Sequence, residues 1–487
     1  MNLKTKTIQG VGWSGMSQAI RLLLHFIVIA ILARLLTPKD FGLLAMTVVF
    51  TGFVMTFCDF GITAALIQHK KLTEEHLSSS FWINVLTGFV LTLLLIIVAP
   101  LIANFYNESR LTLIISVLSL TFFIYSFSVV QTALFTKELD FKSLAVVEIS
   151  AVLISGIIAI ILAFSGFGVW SLVWQQLISI FVKVIFLWKL SDWKPKFLFK
   201  WQRFKELLWF GLNLTGFSFV NYFKRNFDDL LIGKFFGPIS LGFYNLAYQL
   251  LLFPLSNISQ VIGRVMFPSL SIIQSDKDKM RYSYLKATRY IAVITFPLMV
   301  WFLVVAPQFI RVVFGSQWER SIFLVQIFAL VGLMQSIGTT VGWIYQSQGR
   351  TDIMFRWGIF TSIVTAAAFI LGLRWNIEGV AIACAITGLF LTYPNFAIPF
   401  KLIDLKFSHF VKQFKSIFLA TLGMGGIVFV FSAFMENVLG ANNLIILVLA
   451  MVVSVMSYFS ILFISDRLFC YEIFYLLKQL KSLLHHT

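Results

Sequence analysis

Charged residues are scarce in this sequence: Asp, Glu, Lys and Arg make up 12% of its 487 residues, about half the share found in soluble domains. Apolar residues make up 59% and the mean hydropathy is +0.90. Apolar runs of about 18 residues or more recur along the whole length. No soluble core of this size is so apolar, so the composition excludes a soluble protein and predicts a polytopic membrane protein.

Cysteine is also scarce, and the motifs of enzymes are missing. The three cysteines, Cys58, Cys384 and Cys470, are scattered, which excludes a disulfide framework and metal-ligand spacing. The six His form no metal pattern. There is no P-loop, no G-x-S-x-G and no pair of catalytic carboxylates on an exposed loop. We therefore predict no catalytic residue, no metal site and no cofactor, and expect that the protein is not an enzyme.

The net charge of +17 comes from Lys and Arg in short connections between apolar runs. Taking alternate connections from the N-terminus, about 26 of the 38 Lys and Arg lie on one side and about 6 on the other. The basic side of a membrane protein is the cytoplasmic side. The pattern argues against nucleic acid as a partner, and it predicts that both termini are cytoplasmic and that the number of spans is even. The apolar runs predict about 14 transmembrane helices with only short outer connections.

A short motif occurs twice, 200 residues apart. ARLLTPKDFGLLAM (33–46) aligns with GKFFGPISLGFYNL (233–246), and each copy lies between two apolar segments, which predicts a tight connection between two spans. About six spans precede the second copy, so both copies start from the same side of the membrane and the halves are parallel repeats. The matched positions are Arg34 with Lys234, Pro38 with Pro238, and Gly42 with Gly242.

The predicted fold is an all-α integral membrane protein. It has two parallel six-helix lobes related by a pseudo-two-fold axis along the membrane normal, plus two C-terminal helices. The predicted ranges are 1–190 for the N-terminal lobe, 191–205 for a basic cytoplasmic linker, 206–402 for the C-terminal lobe, 403–465 for the two additional helices and 466–487 for a cytoplasmic amphipathic tail.

Charged residues at membrane depth are the candidates for function, because such residues normally face a bundle interior or a water-filled cavity. We expect a cavity lined by spans one, two, seven and eight, which are predicted near residues 11–36, 41–68, 206–233 and 240–266. Cationic groups there suit an anionic substrate, phosphate above all, and a nearby carboxylate could carry a coupling proton or bind Na⁺. The candidates are Arg21, His25, Lys224, Arg225 and Arg264 for phosphate, Asp59, Asp228 and Asp229 for ion coupling, and Glu148 in the fifth span.

Structural alternatives remain open for several of these residues. A charge near the end of a span can be solvated or reach to the interface, a lone His can be a packing residue, and opposite charges at i,i+4 can neutralise each other. Glu148 can be the solvated end of its span, and Arg264 can reach to the interface. His25 can be a packing residue. The pairs Lys224–Asp228 and Arg225–Asp229 can neutralise each other. If the pairs neutralise each other, only Arg21 and His25 remain free for phosphate.

Three stretches resemble signatures of bacterial polysaccharide exporters, a branch of the multidrug, oligosaccharidyl-lipid and polysaccharide exporter superfamily. They are RLLTPKDFGLLAM, DFGITAALIQ and RNFDDLLIGKFFGPISLGFYNLAYQL. Over nearly its whole length the chain most resembles the colanic acid exporter type of lipid-linked oligosaccharide flippase. The resemblance implies two six-helix lobes around a central cavity that opens alternately inward and outward, with basic residues that hold a pyrophosphate and an ion gradient of H⁺ or Na⁺ as driving force.

The implied function is to flip oligosaccharide repeat units, carried on undecaprenyl pyrophosphate, from the cytoplasmic to the periplasmic leaflet of the bacterial inner membrane for surface polysaccharide synthesis. The implied partners are this lipid-linked substrate, membrane lipids, a polysaccharide polymerase and glycosyltransferases. Two alternatives stay open. A multidrug antiporter of the same superfamily should have an acidic cavity, and a polytopic polymerase or ligase enzyme usually carries a long external loop.

Overall fold

The chain is all-α, as its composition predicts. The computed structural model describes residues 3–69, 72–472 and 474–475, excluding the side chains of 3–14, 16, 209–221, 223–224, 251–254, 256–261 and 264–265. No strand occurs within these ranges. The helices are α1 (Leu3–Leu35), α2 (Pro38–Cys58), α3 (Ile62–Gln68), α4 (Glu74–Tyr106), α5 (Arg110–Ser126), α6 (Val129–Lys137), α7 (Phe141–Phe164), α8 (Val169–Leu190), α9 (Trp201–Ile272), α10 (Lys277–Val313), α11 (Ser321–Gly338), α12 (Val341–Ser347), α13 (Thr351–Gly372), α14 (Asn376–Phe400), α15 (Phe407–Lys412), α16 (Lys415–Asn437) and α17 (Asn443–Ser465).

The number of membrane spans differs from the predicted 14. Among the described residues, 11 helical segments are long and apolar enough to cross a membrane, or 12 when the bent pair α5 and α6 is counted as one span. The predicted count is not confirmed. Tight turns account for part of the difference, because one counted segment, Thr351–Phe400, holds both α13 and α14 around the 3₁₀ turn Leu373–Trp375.

Both copies of the repeated motif form tight helix connections, as predicted. Within the first copy, Thr37 caps α2 in a capping box with Asp40, and Pro38 occupies the first turn, where its missing N–H costs nothing. In the second copy, Gly237 breaks α9 with φ 78°, a left-handed conformation that favours glycine, and Pro238 follows. The two connections therefore use different local chemistry to end one helix and start the next at a proline.

The chain forms two compact units, Met1–Gly242 and Phe243–Thr487. In the first unit, α1 packs against α7, α4 against α5, and α7 against α8. In the second unit, α10 packs against α11, α16 and α17, and α14 packs against α11 and α13. The predicted lobe boundaries at 190 and 206 stay predictions.

Residues 191–200 of the predicted linker are non-helical and run along the start of α4, whereas residues 201–205 form the first turn of α9. The backbone N–H groups of Lys196 and Lys200 donate to Ser78 Oγ at 3.1 Å and Ser79 Oγ at 2.9 Å. Trp82 Nε1 donates to the Lys196 carbonyl at 2.8 Å, and the Trp82 ring stacks on Phe197. Buried serine hydroxyls thus satisfy linker backbone groups that no helix satisfies.

The start of the predicted tail is helical over residues 467–472 and is held against α10. Asp466 forms an ion pair with Arg289, whose guanidinium carbon lies 3.8 Å from the Phe469 ring centroid. Tyr290 donates a 2.9 Å hydrogen bond to Glu472. These contacts fasten the first turns of the tail to the second unit.

Candidate functional site

Two of the charges at membrane depth, Arg21 of α1 and Glu148 of α7, form a pair. Arg21 Nη1 lies 3.7 Å from Glu148 Oε2, and each side chain is 36% exposed. The other terminal nitrogen of Arg21 donates to Gln18 Oε1 at 2.6 Å. The separation from Glu148 exceeds a charge-assisted hydrogen bond of about 2.7–2.9 Å. Glu148 is therefore an electrostatic partner of Arg21 rather than a tightly bonded one.

Small residues on α7 set the register that brings this pair together. A Cβ added at Gly156 would lie 2.5 Å from Val28 Cγ2, so glycine permits a close approach of α1 there. Arg21 precedes Val28 by seven residues and Glu148 precedes Gly156 by eight, about two helical turns in each case. Contacts at two levels in the same order show that α1 and α7 run parallel.

A third charge, Lys183 of α8, belongs to the same group. Lys183 interacts electrostatically with both Glu148 and Arg21, and its side chain is half-buried. The α7–α8 hairpin explains its place, because Lys183 and Glu148 each lie about 15 residues from the turn that joins the two helices. The sequence reasoning missed Lys183, although a lone Lys inside an apolar helix, seven residues before its end, is a signal that could have found it.

Helix geometry places the three charges at one depth. Glu148 lies seven residues from the start of α7, and Lys183 lies seven residues from the end of α8, which is about 10 Å along each helix. Arg21 lies 14 residues, or about 21 Å, from the far end of α1. Since a hydrocarbon core is about 30 Å thick, the three estimates agree on a level about 10 Å from one membrane surface. His25, one turn further along α1, has an exposed side chain.

A second group surrounds the acidic residues of α9. Asp228 and Asp229 are 4% and 9% exposed, and Asp229 interacts electrostatically with Tyr106 and Tyr222. The Tyr222 hydroxyl lies within hydrogen-bond distance of the carbonyls of residues 48 and 49, at 2.9 and 3.0 Å, which ties α9 to α2. Arg225 is exposed and, within the described part of the chain, forms no ion pair with Asp229.

The predicted site residues thus separate into groups. Within the described residues, no hydrogen bond or ion pair joins Arg21 to the acidic residues of α9. The side chains of Lys224 and Arg264 lie outside the described residues. The single cavity expected from the sequence stays a prediction, as do the phosphate-binding and ion-coupling roles.

Asp59 lies at a break between α2 and α3. Its carboxylate accepts the Thr63 N–H at 2.9 Å, and the backbone turns through Phe60 at φ 44° and Gly61 at φ 66°. The carboxylate therefore satisfies an unpaired amide at the start of α3. This structural role accounts for an acidic residue here, and its predicted part in ion coupling stays a prediction.

The two copies of the repeated motif contact each other reciprocally. A Cβ added at Gly42 would lie 1.6 Å from the Pro238 carbonyl oxygen, and a Cβ added at Gly242 would lie 2.0 Å from the Pro38 carbonyl oxygen. Each glycine thus packs against the backbone of the proline in the other copy. The pseudo-symmetric contact is direct structural support for the repeat, and only glycine fits at either position.

A group of two histidines and a carboxylate lies where α4 and α9 begin. The donor atoms of His69, His76 and Glu206 lie within 4.8 Å of one another. His76 Nε2 is 3.1 Å and His69 Nε2 3.8 Å from Glu206 Oε2. Two His and one carboxylate are a donor set that Zn²⁺ accepts. The sequence did not predict this group, because Glu206 is 130 residues from His76 and no local spacing links them.

The His76 ring and the Glu206 carboxylate of this group are both hydrogen-bonded to neighbouring residues. The His76 ring is hydrogen-bonded to Thr73 Oγ1 at 2.7 Å through Nδ1 and to Glu206 through Nε2. The other oxygen of Glu206 accepts from Arg203 at 3.1 Å. The His76 hydrogen bond, followed by that of Arg203, lowers the pKa of the Glu206 carboxyl. The residues serve to hold the start of α9, and the absence of a bound metal stays a prediction.

Membrane-spanning helices, repeated connections and charges at membrane depth define a multi-pass membrane protein. The fold is similar to that of "Lipid II flippase MurJ, inward closed conformation", with a TM-score of 0.74 over 93% of this chain and 98% of that chain at 16% identity. The chain belongs to the family described as "Polysaccharide biosynthesis protein", which matches residues 31–323. The predicted family and the predicted all-α membrane fold are confirmed.

Two relatives support the family assignment. The "Lipopolysaccharide biosynthesis protein WzxC" of Escherichia coli (strain K12) is 30% identical over 381 residues, which cover 76% of this chain and 76% of that protein. The "Teichuronic acid biosynthesis protein TuaB" of Bacillus subtilis (strain 168) is 28% identical over 441 residues, which cover 88% of this chain and 89% of that protein. Both relatives match most of the chain, including parts of both units.

Proposed function

We propose that the protein is an alternating-access flippase that moves undecaprenyl-pyrophosphate-linked oligosaccharide repeat units from the cytoplasmic to the outer leaflet of the bacterial inner membrane. The observation that carries the proposal is Arg21 with its loose partner Glu148, placed in membrane-spanning helices of a flippase-like fold. A guanidinium donates two parallel hydrogen bonds to a phosphate group. The protein acts in this proposal as a transporter and not as an enzyme.

The named processes of the relatives support a saccharide substrate. The names of the two relatives assign them to the biosynthesis of lipopolysaccharide and of teichuronic acid. The lipid carrier in this proposal brings a diphosphate to the membrane, which suits a basic site, whereas a cationic drug would require an acidic site. The polymerase and glycosyltransferases of the same pathway are proposed partners.

The candidate residues keep separate proposed roles. The cationic residues, which bind the pyrophosphate in this proposal, are Arg21, His25, Lys224, Arg225 and Arg264. The acidic residues, which respond to the coupling ion H⁺ or Na⁺, are Asp59, Asp228 and Asp229. The burial of Asp228 and Asp229 supports an ion-coupling role for this pair, because a buried carboxylate responds to any cation that reaches it.

The reciprocal Gly42–Pro238 and Gly242–Pro38 contacts support alternating access. In the proposed orientation, with both termini cytoplasmic, the two connections lie on the outer side. A transporter of this kind must close one side while the other is open. Contacts that admit no side chain make a tight seal, and in this proposal the two connections stay in contact whenever the outer side is closed.

A leaflet-translocation assay tests the proposal. The purified protein is reconstituted into vesicles with a fluorescent undecaprenyl-pyrophosphate oligosaccharide, and translocation is followed under imposed pH or Na⁺ gradients. Replacing Arg21 and Arg225 together by Ala should abolish translocation and leave the amount of protein in the membrane unchanged. Arg356→Ala, which changes an exposed arginine of α13, is the matched control and should translocate normally.

Two results would contradict the proposal. Normal translocation by the double variant would remove the role of these arginines in phosphate binding. Export of a cationic dye by the wild-type protein, without translocation of the lipid-linked saccharide, would instead favour a multidrug antiporter.

A further inference from the structure

Arg21, Lys183 and Glu148 form an unbalanced group of two cations and one anion. Arg21 Nη1 and Glu148 Oε2 lie 3.7 Å apart and partly neutralise each other. Lys183, on a third helix, interacts electrostatically with the same carboxylate without forming an ion pair with it among the described residues. With Glu148 ionised the group carries one net positive charge, and it carries two when the carboxylate is removed or displaced. A net positive charge at membrane depth is costly unless it is matched by an anion.

We propose that Arg21 and Lys183 together bind the diphosphate of the lipid carrier, and that Glu148 is a counter-ion that occupies Arg21 until the diphosphate displaces it. This inference rests on the proposed function, because it assigns the substrate's anionic group to a specific pair of helices. It differs from the sequence-based expectation, in which Arg21 shares the phosphate with Arg225.

The geometry favours displacement of Glu148. At 3.7 Å the carboxylate makes no hydrogen bond to Nη1, since such bonds are about 2.7–3.2 Å long. The Gln18 side chain holds the other end of the guanidinium at 2.6 Å and so orients it without using its charge. A diphosphate could therefore replace a weak partner with two charge-assisted hydrogen bonds while the orienting contact to Gln18 stays in place.

The surroundings suit a lipid-linked anion rather than a free one. Ile20, Leu23 and Ile27 are exposed and recur at helical spacing along the face of α1 beside Arg21. The level of the three charges is about 10 Å from the membrane surface, within reach of a headgroup that enters from the basic, predicted cytoplasmic side. The polyprenyl chain would remain against this apolar face.

Binding measurements on the full-length protein in nanodiscs test the inference. The probes are farnesyl pyrophosphate, which carries a prenyl chain, and inorganic pyrophosphate, which does not. Lys183→Met should weaken farnesyl pyrophosphate binding about tenfold, Lys183→Arg should keep it within about threefold, and Glu148→Gln should tighten it about three- to tenfold. Lys189→Met, which changes an exposed lysine on the same helix, is the matched control and should bind as wild type.

The tighter binding expected of Glu148→Gln cannot result from misfolding, so it protects the test from a merely destabilised variant. Wild-type affinity in Lys183→Met, or weaker binding in Glu148→Gln, would overturn the inference. Equal affinity for inorganic pyrophosphate would overturn the assignment to a lipid-linked anion.

The translocation assay separates this inference from the proposed function. If Lys183→Met binds and translocates like wild type, the diphosphate site is wrong and the flippase proposal stands. If the wild-type protein binds farnesyl pyrophosphate through Arg21 and Lys183 but moves no lipid-linked saccharide, the site stands and the proposed function fails.

Discussion

Replacing Gly42 by Ala should open the contact between the two repeated connections. The added Cβ would lie 1.6 Å from the Pro238 carbonyl oxygen, whereas ordinary van der Waals contact begins at 3.4 Å. The backbones must therefore separate by roughly 1.8 Å. Overpacking of this kind costs about 1–3 kcal/mol, which corresponds to a shift of about 5–150-fold away from the conformation in which the two connections touch.

Site-directed labelling can measure this shift. Ser240, two residues after Pro238, is 8% exposed, so a cysteine placed there reacts with a maleimide only when the connections separate. The three native cysteines are first replaced. We expect Ser240→Cys to label at least fivefold faster when Gly42 is replaced by Ala, and Gly242→Ala should act similarly because its Cβ would lie 2.0 Å from Pro38.

Two controls define the outcome. Gly426→Ala places a Cβ where no atom lies within 4 Å, and it should leave the labelling rate unchanged. The double Gly42→Ala and Gly242→Ala variant should show less than the summed effect, because one separation relieves both clashes. Unchanged labelling and an unchanged melting temperature in Gly42→Ala would refute the proposed close contact.

Three further predictions follow from particular contacts. Gly156→Leu should force α1 from α7 and lower the melting temperature of the purified protein, since a Cβ alone would lie 2.5 Å from Val28; wild-type melting would argue against this packing. The pKa of Glu472 is lowered, first by the hydrogen bond from Lys286 and then by Tyr290, so docking of the tail is favoured above the ordinary carboxyl pKa of about 4.3 and lost as pH falls through the lowered pKa. Protease cleavage near residue 470 should therefore increase at acidic pH. The increase should be smaller in Glu472→Gln, which has already lost the charge. Cleavage that does not depend on pH would contradict the predicted role of Glu472 in docking the tail. Elemental analysis should find no stoichiometric transition metal in the purified protein, and one equivalent of zinc that is lost in His69→Ala would overturn the prediction of no metal site.

Local patterns in the sequence were sufficient to predict the membrane class, the helical fold and the two matched connections. Hydropathy and the signals that start and end helices depend on neighbouring residues. A proline after a helix end or a 20-residue apolar run can therefore be recognised without tertiary information. The repeat was also readable, because Pro38 and Gly42 recur at a fixed offset as Pro238 and Gly242. The count of 14 spans is not confirmed by the described residues, since tight turns leave little polar sequence between helices.

The partners of the charged residues depended on the tertiary structure. Hydropathy shows that Arg21 and Glu148 lie inside spans, but it does not show that α1 and α7 run parallel with their charges at one level. The i,i+4 rule paired Arg225 with Asp229 on one helix, whereas in the structure Arg225 is exposed and Asp229 is buried.

The sequence by itself determined which segments are helical and apolar, because those properties follow from short-range spacing along the chain. Only the tertiary structure decided that Lys183 joins Arg21 and Glu148, and that His69 and His76 meet Glu206. The physical reason is that the packing partner and register of each helix depend on small residues at the interface, such as Gly156 against Val28. The packing partner and register of each helix, rather than the charges alone, bring distant residues into one site.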